Sequence, residues 1–281
     1  MTLPLKILVL ETAAVCNLRC NHCVHGLGLL PPRAQPYLDL ALLYRVLGQI
    51  GQVETCYPAL WGEPTLHPQL IEVLGTVRAH AKMVVLTTNG VAVDERLAAG
   101  IARYANRTLV GIPAATAATY RAVCGADRFE AALAGLQRLA LEAPATTSWL
   151  YVVTSANEGE VDTARQLAAR LGIDFQPKSA YLLPGAQIGP ATGALSRYHA
   201  DGTPRVDPQT CRAFWEALQV LADGTVTTCC YDYGNEVVIG DANTQHVLDD
   251  LWNGPRYQEL RAQHLAGQLA PFCQRNCGMA P

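Results

Sequence analysis

The stretch ETAAVCNLRCNHCVHG (residues 11–26) places three cysteines, Cys16, Cys20 and Cys23, within eight positions. It follows directly on an apolar run that predicts a first buried strand. A structural zinc site needs four ligands, and His22 and His25 are available to join the three thiols. Three thiolates on a 4Fe–4S cluster would instead leave one iron without a protein ligand, free to bind a substrate or cofactor. From the triplet alone, both kinds of site stay open.

Composition indicates a compact, enzyme-like body. The 281 residues suffice for one large domain, or for a large domain with a small appendage. Half of the residues are hydrophobic and 16% are charged, against about 25% in an average protein. The net charge of −3 gives no sign of the concentrated basic surface that nucleic-acid binding requires, so we expect no nucleic-acid partner.

The sequence has no signal for a membrane or for export. No apolar run approaches the roughly 18 residues that span a bilayer. Lys6 and Glu11 interrupt the amino-terminal apolar segment, which therefore resembles a strand more than a signal peptide. We expect a cytoplasmic protein with no membrane contact. In a reducing cytosol, the ten cysteines are expected to bind metal or to do chemistry rather than to form disulfides.

Apolar runs alternate with helical patterns over the first two thirds of the chain. Six runs predict buried strands: LKILVLE (5–11), VETCYPAL (53–60), KMVVLTT (82–88), RTLVGIP (107–113), TSWLYVVT (147–154) and IDFQPK (173–178). Helical patterns fall between them at residues 39–50, 68–80, 94–105, 128–142 and 160–172. Strands joined by crossover helices predict a parallel sheet, wound as an open or closed α/β barrel.

The pattern changes after the sixth predicted strand. Residues 182–208 are rich in Gly, Pro and Ala, and we interpret them as a linker or a long loop across the barrel mouth. This change of composition predicts two domains, residues 1–205 and residues 206–281.

The C-terminal region predicts a small α+β unit. The segment ALQVLADGTVTTCC (217–230) is typical of a β-hairpin with its turn at Asp223-Gly224. Residues 246–267 have a mostly helical pattern that Gly254-Pro255 interrupts.

Two further motifs end predicted strands. WGEP (61–64) follows the second strand and TTNG (87–90) ends the third, at the face where α/β barrels build their active sites. Together with CNLRCNHC (16–23), these motifs closely resemble the radical S-adenosylmethionine (SAM) enzymes, whose cluster motif has the same cysteine spacing. The resemblance covers residues 5–178 with six strand–helix units. It implies a partial (β/α)6 TIM-like barrel.

The resemblance implies a role for each motif. Cys16, Cys20 and Cys23 would hold a 4Fe–4S cluster, and SAM would chelate its open iron through amino and carboxylate groups. The other SAM-binding residues that it implies are His22 near the adenine, Gly62, Glu63 and Pro64 at the amino group, Thr88 and Asn89 at the ribose, and Asn157 after the fifth strand. A helix N-cap is an equally good interpretation of Asn157.

The resemblance also implies the class of reaction. One electron from the cluster cleaves SAM to methionine and a 5′-deoxyadenosyl radical, which abstracts hydrogen from an unactivated C–H bond. The cofactor performs the difficult step, and the protein orients the substrate and excludes competing reactions. We expect the electron to come from a flavodoxin- or ferredoxin-type protein.

A second group of cysteines, Cys211, Cys229, Cys273 and Cys277, lies near the C-terminus. Four thiols in two groups suit a closed zinc site as well as a cluster. Their order around the DGTVTTCC hairpin resembles the SPASM/twitch extension of radical SAM enzymes, which carries auxiliary 4Fe–4S clusters. The chain ends four residues after Cys277, without the further cysteines of a complete SPASM domain. We therefore expect a twitch-like form with one auxiliary 4Fe–4S cluster on these four thiols.

Three cysteines remain outside the two groups. Cys56 lies on a predicted strand and is expected to pack in the core. Cys124 and Cys230 are candidates for giving a hydrogen atom to a substrate radical, although an inert or structural role is open for both. Cys230 is also an alternative to Cys229 as a cluster ligand. The candidates for a general base are Arg121, Tyr151, Lys178 and Tyr181, with no basis for choosing among them.

Two reactions fit an auxiliary cluster. In the first, the substrate radical loses a proton and passes an electron to this cluster, which gives a dehydrogenation. In the second, a thiol returns hydrogen to the opposite face, which gives epimerisation. A non-enzymatic protein stapled by two zinc sites is a third hypothesis.

The substrate is less constrained than the chemistry. Peptide maturases of this family commonly carry an N-terminal leader-binding domain. Because the first strand starts by residue 5, we expect no such domain. This favours a small polar substrate of the carbohydrate or aminocyclitol kind, with maturation of a ribosomal peptide as the alternative.

Overall fold

Six parallel strands form the larger part of the sheet in the computed structural model, which describes residues 3–199, 205 and 211–277. The strands are β1 Ile7–Leu10, β2 Val53–Tyr57, β3 Ala81–Thr88, β4 Arg107–Gly111, β5 Thr147–Val153 and β6 Asp174–Ser179. Each strand pairs in parallel with the next one along the chain. All six predicted strands are confirmed, with ends that differ by a few residues.

Helices join these strands. They are α1 Leu40–Ile50, α2 Leu70–His80, α3 Glu95–Tyr104, α4 Ala117–Cys124, α5 Phe129–Glu142 and α6 Val161–Arg170. Side-chain caps fix the starts of three of them, since Asp39 accepts from Ala41 N (2.7 Å), Asp94 from Leu97 N (2.7 Å) and Thr116 from Thr119 N (3.3 Å). The five predicted helices are confirmed, and α4 is an addition. In the described ranges, no helix is long and apolar enough to cross a membrane.

The strand order identifies the architecture. Strands that are neighbours along the chain are neighbours in the sheet, in the order β6-β5-β4-β3-β2-β1. A doubly wound sheet would instead reverse direction at a switch point. The predicted partial (β/α)6 TIM-like barrel is therefore confirmed. Its active-site face is the one at the carboxyl ends of the strands, where the cysteine loop (residues 11–26), WGEP and TTNG follow β1, β2 and β3.

The C-terminal part contains three more strands and several helices. Its elements are α7 Ala213–Glu216, β7 Ala217–Val220, β8 Thr225–Thr227, β9 Val238–Asp241, a π-helix at Val247–Trp252, α8 Pro255–Leu265 and α9 Pro271–Asn276. The predicted hairpin is confirmed, because β7 and β8 are antiparallel and Gly224 occupies the turn with φ 92°. The predicted helical region is also confirmed, with its break before Pro255.

The C-terminal part continues the barrel sheet. Strand β7 runs parallel to β1, with Ile7 opposite Ala217 and Leu10 opposite Val220. Trp252 also donates its indole N–H to the carbonyl oxygen of Leu3 (2.8 Å). The hairpin is thus held beside the cysteine loop. The predicted domain boundary at 205/206 adjoins residues 200–204 and 206–210, which lie outside the described residues, as does part of the predicted linker 182–208.

Candidate active site and cluster sites

The cysteine loop brings three thiols together at the end of β1. The loop turns back on itself, since Cys23 N donates to the carbonyl oxygen of Cys20 (3.1 Å). Burial raises the pKa of the Cys16 thiol to about 11, and the negative charge of Glu63 and of the other two cysteines adds to the rise. Thiolates in this loop therefore need a positive partner, which the irons of a cluster would supply.

WGEP packs directly against the cysteine loop. A Cβ on Gly62 would lie 1.9 Å from the carbonyl oxygen of Ala13 and 2.8 Å from that of Val15, so only glycine allows this approach. The next residue, Glu63, donates its N–H to the carbonyl oxygen of Val15 (2.8 Å). Pro64 then begins a short 3-10 helix, Pro64–Leu66. The loops after β1 and β2 are therefore fixed to each other by main-chain contacts.

The carboxylate of Glu63 joins WGEP to TTNG. It is buried and accepts four hydrogen bonds: from Thr65 N (3.0 Å) and Oγ1 (2.6 Å), Thr88 Oγ1 (2.6 Å) and Asn89 N (2.7 Å). Burial raises the pKa of Glu63, and these hydrogen bonds lower it in part. The hydroxyl of Thr88 is thus already engaged with protein, and Glu63 acts as a tie between the second and third strand ends.

Asn89 completes this group on the side of the cysteine loop. Its Nδ2 donates to Asn17 Oδ1 (2.7 Å) and lies 3.8 Å from the Sγ of Cys16. Its Oδ1 accepts from Val91 N (3.0 Å). The structure therefore brings Asn89 into contact with the predicted cluster ligands, as a SAM-binding role requires.

Asn157 has a different environment from the other predicted SAM-binding residues. Its Oδ1 accepts from Thr154 N (2.6 Å), and its Nδ2 donates to the carbonyl oxygens of Pro113 (2.7 Å) and Val152 (2.9 Å). The side chain is 1% exposed. It makes no N-cap hydrogen bond either. Its amide is fully used in joining the ends of β4 and β5, which leaves it no free donor for SAM.

A cavity of about 320 Å³, here called the barrel cavity, opens among the strand ends. Cys23 and Trp61 line it from the first two loops, Lys178 and Tyr181 from the end of β6, and Cys230 from the C-terminal part. Trp61 Nε1 donates to the carbonyl oxygen of Cys230 (3.1 Å), so the wall of the cavity links WGEP to the hairpin. The cavity therefore lies between the two groups of cysteines.

His22 also lines the barrel cavity. Burial lowers the pKa of its imidazole to about 4, so the ring is neutral at physiological pH. Its Nδ1 is buried without a hydrogen-bond partner in the described structure. A flat, neutral ring with an unused nitrogen suits the predicted position beside adenine.

Cys124 does not reach the barrel cavity. It is buried at the end of α4, close to the thiol of Cys20. Asn21 fixes this arrangement, since it donates from N to the carbonyl oxygen of Val123 (2.9 Å) and from Nδ2 to that of Ala122 (2.8 Å). The structure does not support the prediction that Cys124 gives hydrogen to a substrate, because its thiol lies against that of Cys20, a predicted cluster ligand, and does not line the cavity.

The four candidates for a general base differ in whether they line the barrel cavity. Lys178 and Tyr181 line the barrel cavity. Arg121 is exposed and pairs with Asp127 (3.0 Å). Tyr151 is buried and donates its hydroxyl to the carbonyl oxygen of Asn157 (3.0 Å). Only the first two are therefore placed to meet a substrate in the cavity.

The four auxiliary thiols, Cys211, Cys229, Cys273 and Cys277, come together below the hairpin. Burial raises the pKa of Cys273 to about 12, and the nearby Cys277 and Cys211 thiols contribute to the rise. Cys229 lies close to Cys211, and each accepts a main-chain N–H, from Tyr231 (3.5 Å) and Ala213 (3.4 Å) respectively. The donors are all sulfur, which suits a 4Fe–4S cluster.

Cys230 lies beside its neighbour Cys229 and lines the barrel cavity. It is exposed to the cavity, although protein atoms surround it closely. A hydrogen bond from the Cys229 thiol, with the positive charges of Lys178 and Arg197, lowers the pKa of Cys230. The two thiols are therefore close together, both stay candidates for the auxiliary ligand, and Cys230 is the one that also lines the substrate space.

The donors of both groups are cysteine thiols, which 4Fe–4S clusters require. Zinc also accepts four thiolates, so the donor set alone does not separate the two kinds of site.

Comparison with known families decides the identity. The model of the radical SAM superfamily matches residues 10–168, and that of the SPASM iron–sulfur cluster-binding domain matches residues 211–278. This chain belongs to the radical SAM superfamily. It is accordingly a radical SAM enzyme that uses 4Fe–4S clusters and SAM, and the zinc-stapled scaffold is set aside. Which side chains hold each group stays a prediction.

Relatives of this radical SAM enzyme include mycofactocin maturases. Mycofactocin maturase MftC of Mycobacterium ulcerans is 30% identical over 298 aligned residues, which cover 92% of this chain and 77% of that protein. The alignments with the Mycobacterium tuberculosis maturases of that name cover 58% of this chain and 41% of those proteins.

Solved structures share the fold. SuiB of Streptococcus suis, bound to S-adenosylmethionine, gives a TM-score of 0.74 at 16% identity, over 93% of this chain and 69% of that one. BtrN in complex with AdoMet and 2-DOIA gives 0.57 at 15% identity, over 95% and 89%. At these identities the likeness concerns the fold alone.

Proposed function

We propose that this radical SAM enzyme oxidises a peptide, by removing hydrogen from an apolar or aromatic residue held in the barrel cavity. The observation that carries the proposal is the composition and position of that cavity. It lies between the predicted SAM cluster and the auxiliary thiols, and its walls are mostly apolar.

The lining favours a peptide side chain over a carbohydrate. Four aromatic residues line the cavity, together with several aliphatic ones: Trp61, Tyr181, Tyr231 and Tyr233. A sugar or aminocyclitol carries a polar group on nearly every carbon, and each would need a hydrogen-bond partner on burial. Aromatic and aliphatic walls suit the side chains of a peptide instead. The similarity to mycofactocin maturase supports the same substrate class.

The position of the cavity suits a two-electron oxidation. When bound, SAM would supply a 5′-deoxyadenosyl radical that takes a hydrogen atom, and an auxiliary cluster would supply an acceptor for the remaining electron. Cys23 and Cys230 both line the space that would hold the substrate, and Cys230 is next to a predicted auxiliary ligand. The substrate thus loses one hydrogen atom, one electron and one proton, the last to solvent, which together make up two hydrogen atoms. Lys178 also lines the cavity, but it is not the acceptor of this proton, because it already carries the positive charge that acts on Cys230.

The Cys230 thiol favours epimerisation as a second candidate. It lines the cavity, and a hydrogen atom that it gave to the face of the substrate radical opposite the 5′-deoxyadenosyl group would invert the carbon. The substrate would gain that hydrogen atom. The sulfur radical left on Cys230 would regain an electron from the auxiliary cluster and a proton from solvent.

A turnover experiment tests both reactions. Anaerobically purified protein would be supplied with SAM, a reduced flavodoxin or ferredoxin (the proposed cytoplasmic electron donor), and a synthetic precursor peptide encoded beside the gene. Oxidation yields a peptide lighter by two hydrogen atoms, with one 5′-deoxyadenosine per product. Turnover of an aminocyclitol, with no change in any peptide, would contradict the proposal.

The epimerase alternative has its own signature. In deuterated water its product carries one deuterium in place of one hydrogen, and Cys230→Ala abolishes this exchange. Cys56→Ala is the matched control, because the Cys56 thiol is buried in the core away from the cavity. Persistence of turnover in Cys230→Ala, with no deuterium in the product, leaves oxidation as the reaction.

A further inference from the structure

A second cavity, of about 290 Å³, lies beside the cysteine loop and is here called the loop cavity. Its described lining comes entirely from residues 11–36, the end of β1 and the chain that follows the third cysteine. Residues 12–14 and 36–38 frame it as a short antiparallel ribbon, with Ala14 N donating to Pro36 O (2.8 Å) and Leu38 N to Thr12 O (3.0 Å). The cavity is therefore built on a rigid frame, and the SAM-binding and auxiliary sites account for none of it.

A buried ion pair forms part of its wall. Arg33 Nε lies 3.0 Å from Glu11 Oε2, and the two side chains are 5% and 0% exposed. Oε2 also accepts from Ala222 N (3.2 Å), and Arg33 Nη1 donates to the carbonyl oxygen of Pro31 (3.1 Å). One oxygen of the carboxylate and two nitrogens of the guanidinium are thus engaged.

The remaining atoms of the pair have no partner. Glu11 Oε1 and Arg33 Nη2 are buried and make no hydrogen bond in the described structure, and the same holds for Nδ1 of His25, another lining residue. An arginine–carboxylate pair normally closes as a fork with two parallel hydrogen bonds. Here it closes with one, and a buried charged atom without a partner is costly. Glu11 and Arg33 both line the loop cavity, so its wall contains one donor and one acceptor that the described protein leaves unpaired.

The chemistry of these atoms specifies a complementary group. An occupant must offer a carbonyl oxygen to Arg33 Nη2 and an N–H to Glu11 Oε1. In an extended chain, the N–H and C=O of one residue point to the same side, as they do in a β-ladder. Three prolines in the wall, Pro31, Pro32 and Pro36, add apolar surface and no competing N–H donor.

We propose that the loop cavity binds the main chain of an extended peptide through Glu11 Oε1 and Arg33 Nη2. This inference rests on the proposed function, since the peptide is a part of the substrate remote from the reacting residue. The guanidinium of Arg33 lies 5.5 Å from the ring of Trp61, which lines the barrel cavity. One aromatic side chain therefore separates the two cavities.

The experiment compares two probes on the anaerobically purified holoenzyme without SAM. The first is N-acetyl-Ala-Ala-N-methylamide, and the second is its analogue with an ester oxygen in place of the central amide N–H. Glu11→Gln keeps an oxygen toward Arg33 and Ala222, because both donate to it, and places an NH2 group where Oε1 stood. This variant reverses the sense of one hydrogen bond without adding or removing volume.

Calorimetric titration gives the expected result. Glu11→Gln weakens binding of the amide probe by about 10- to 100-fold, the value of one hydrogen bond to a charged group, and spares the ester probe. Arg33→Lys keeps the charge beside Glu11 but removes Nη2, so it weakens both probes. Glu54→Gln is the matched control, since Glu54 is exposed and pairs with Lys82. Unchanged iron content and circular dichroism verify that each variant is folded.

Each other outcome overturns the inference. Equal binding of both probes by wild type and Glu11→Gln means that water satisfies these atoms, and the proposed function then still stands. If acetamide binds as tightly as the amide probe, the site recognises a single carboxamide group and not a peptide main chain. A wild-type protein that binds neither probe but turns over an aminocyclitol defeats the proposed function as well.

Discussion

Replacing Gly62 by alanine tests how WGEP is held against the cysteine loop. The added Cβ would lie 1.9 Å from the carbonyl oxygen of Ala13 and 2.8 Å from that of Val15. Both neighbours are main-chain atoms, so no side chain can rotate away. The two segments must separate by at least about 1 Å, because Cβ atoms do not approach closer than 3.0 Å.

The structure sets the size of the effect. Overpacking of this kind costs about 1–3 kcal/mol. Separation also breaks the hydrogen bond from Glu63 N to Val15 O (2.8 Å), which is worth about 1 kcal/mol. A loss of about 2–4 kcal/mol lowers the midpoint of thermal unfolding by about 5–15 °C in a chain of this size. SAM affinity should fall at least about tenfold, since its binding groups shift relative to the cluster loop.

Circular dichroism under anaerobic heating measures the first effect, and equilibrium binding of SAM measures the second. Gly48→Ala is the matched control, because Gly48 lies within α1 and nothing approaches its Cβ position within 4 Å. That change should leave the protein unaffected or stabilise it by up to about 1 kcal/mol. A Gly62→Ala protein with the wild-type midpoint and wild-type SAM affinity would refute the assigned contact.

Four further substitutions probe other parts of the account. Asn157→Ala leaves three buried main-chain groups without partners and should lower the free energy of unfolding by about 3 kcal/mol, as measured by denaturant titration; a neutral change would contradict the tie between β4 and β5. Cys124→Ser should keep about eight irons per chain, whereas Cys211→Ser should keep about four; equal loss would make Cys124 a ligand. His67 accepts a hydrogen bond from Gln69 N (3.0 Å), and burial lowers the pKa of its imidazole. Its contribution to stability is therefore full above the unfolded-state pKa of about 6.5, and it is lost as the pH falls from there through the lowered pKa of the folded state. His67→Gln should therefore reduce the difference between unfolding midpoints at about pH 7.5 and pH 5.5, and an unchanged difference would show that His67 does not cause it.

Much of the fold follows from local sequence patterns. The apolar periodicity of the sequence predicts the six buried strands and five of the helices, and Asp223-Gly224 predicts the turn of the hairpin. The two groups of cysteines are equally readable, because clustered thiols in a reducing compartment have few other uses. These features depend on neighbouring residues, which a sequence shows.

The positions that the sequence did not predict depend on contacts between distant segments. Cys124 was a candidate hydrogen-atom donor to the substrate, but α4 is only eight residues long and has no clear apolar period, so the packing of Cys124 against Cys20 could not be predicted. Glu63 was assigned only to the SAM amino group, whereas its carboxylate also accepts hydrogen bonds from Thr88 and Asn89. That tie joins residues 25 and 26 positions apart.

The nature of the cavities also depends on distant residues. The walls of the barrel cavity come from β5, β6, the first two loops and the C-terminal part, so their common apolar character appears only after folding. The expectation of a polar, carbohydrate-like substrate relied instead on where the first strand begins. A charged residue directly after a buried strand, as Glu11 is, was the one available signal for the loop cavity.

The amount of 5′-deoxyadenosine formed from SAM tests the central assignment most directly. Reduced, oxygen-free protein should release it, and Cys16→Ser should release none while the auxiliary cluster is retained. Wild-type protein that carries its full iron content and yields no 5′-deoxyadenosine would contradict a SAM-cleaving cluster on Cys16, Cys20 and Cys23.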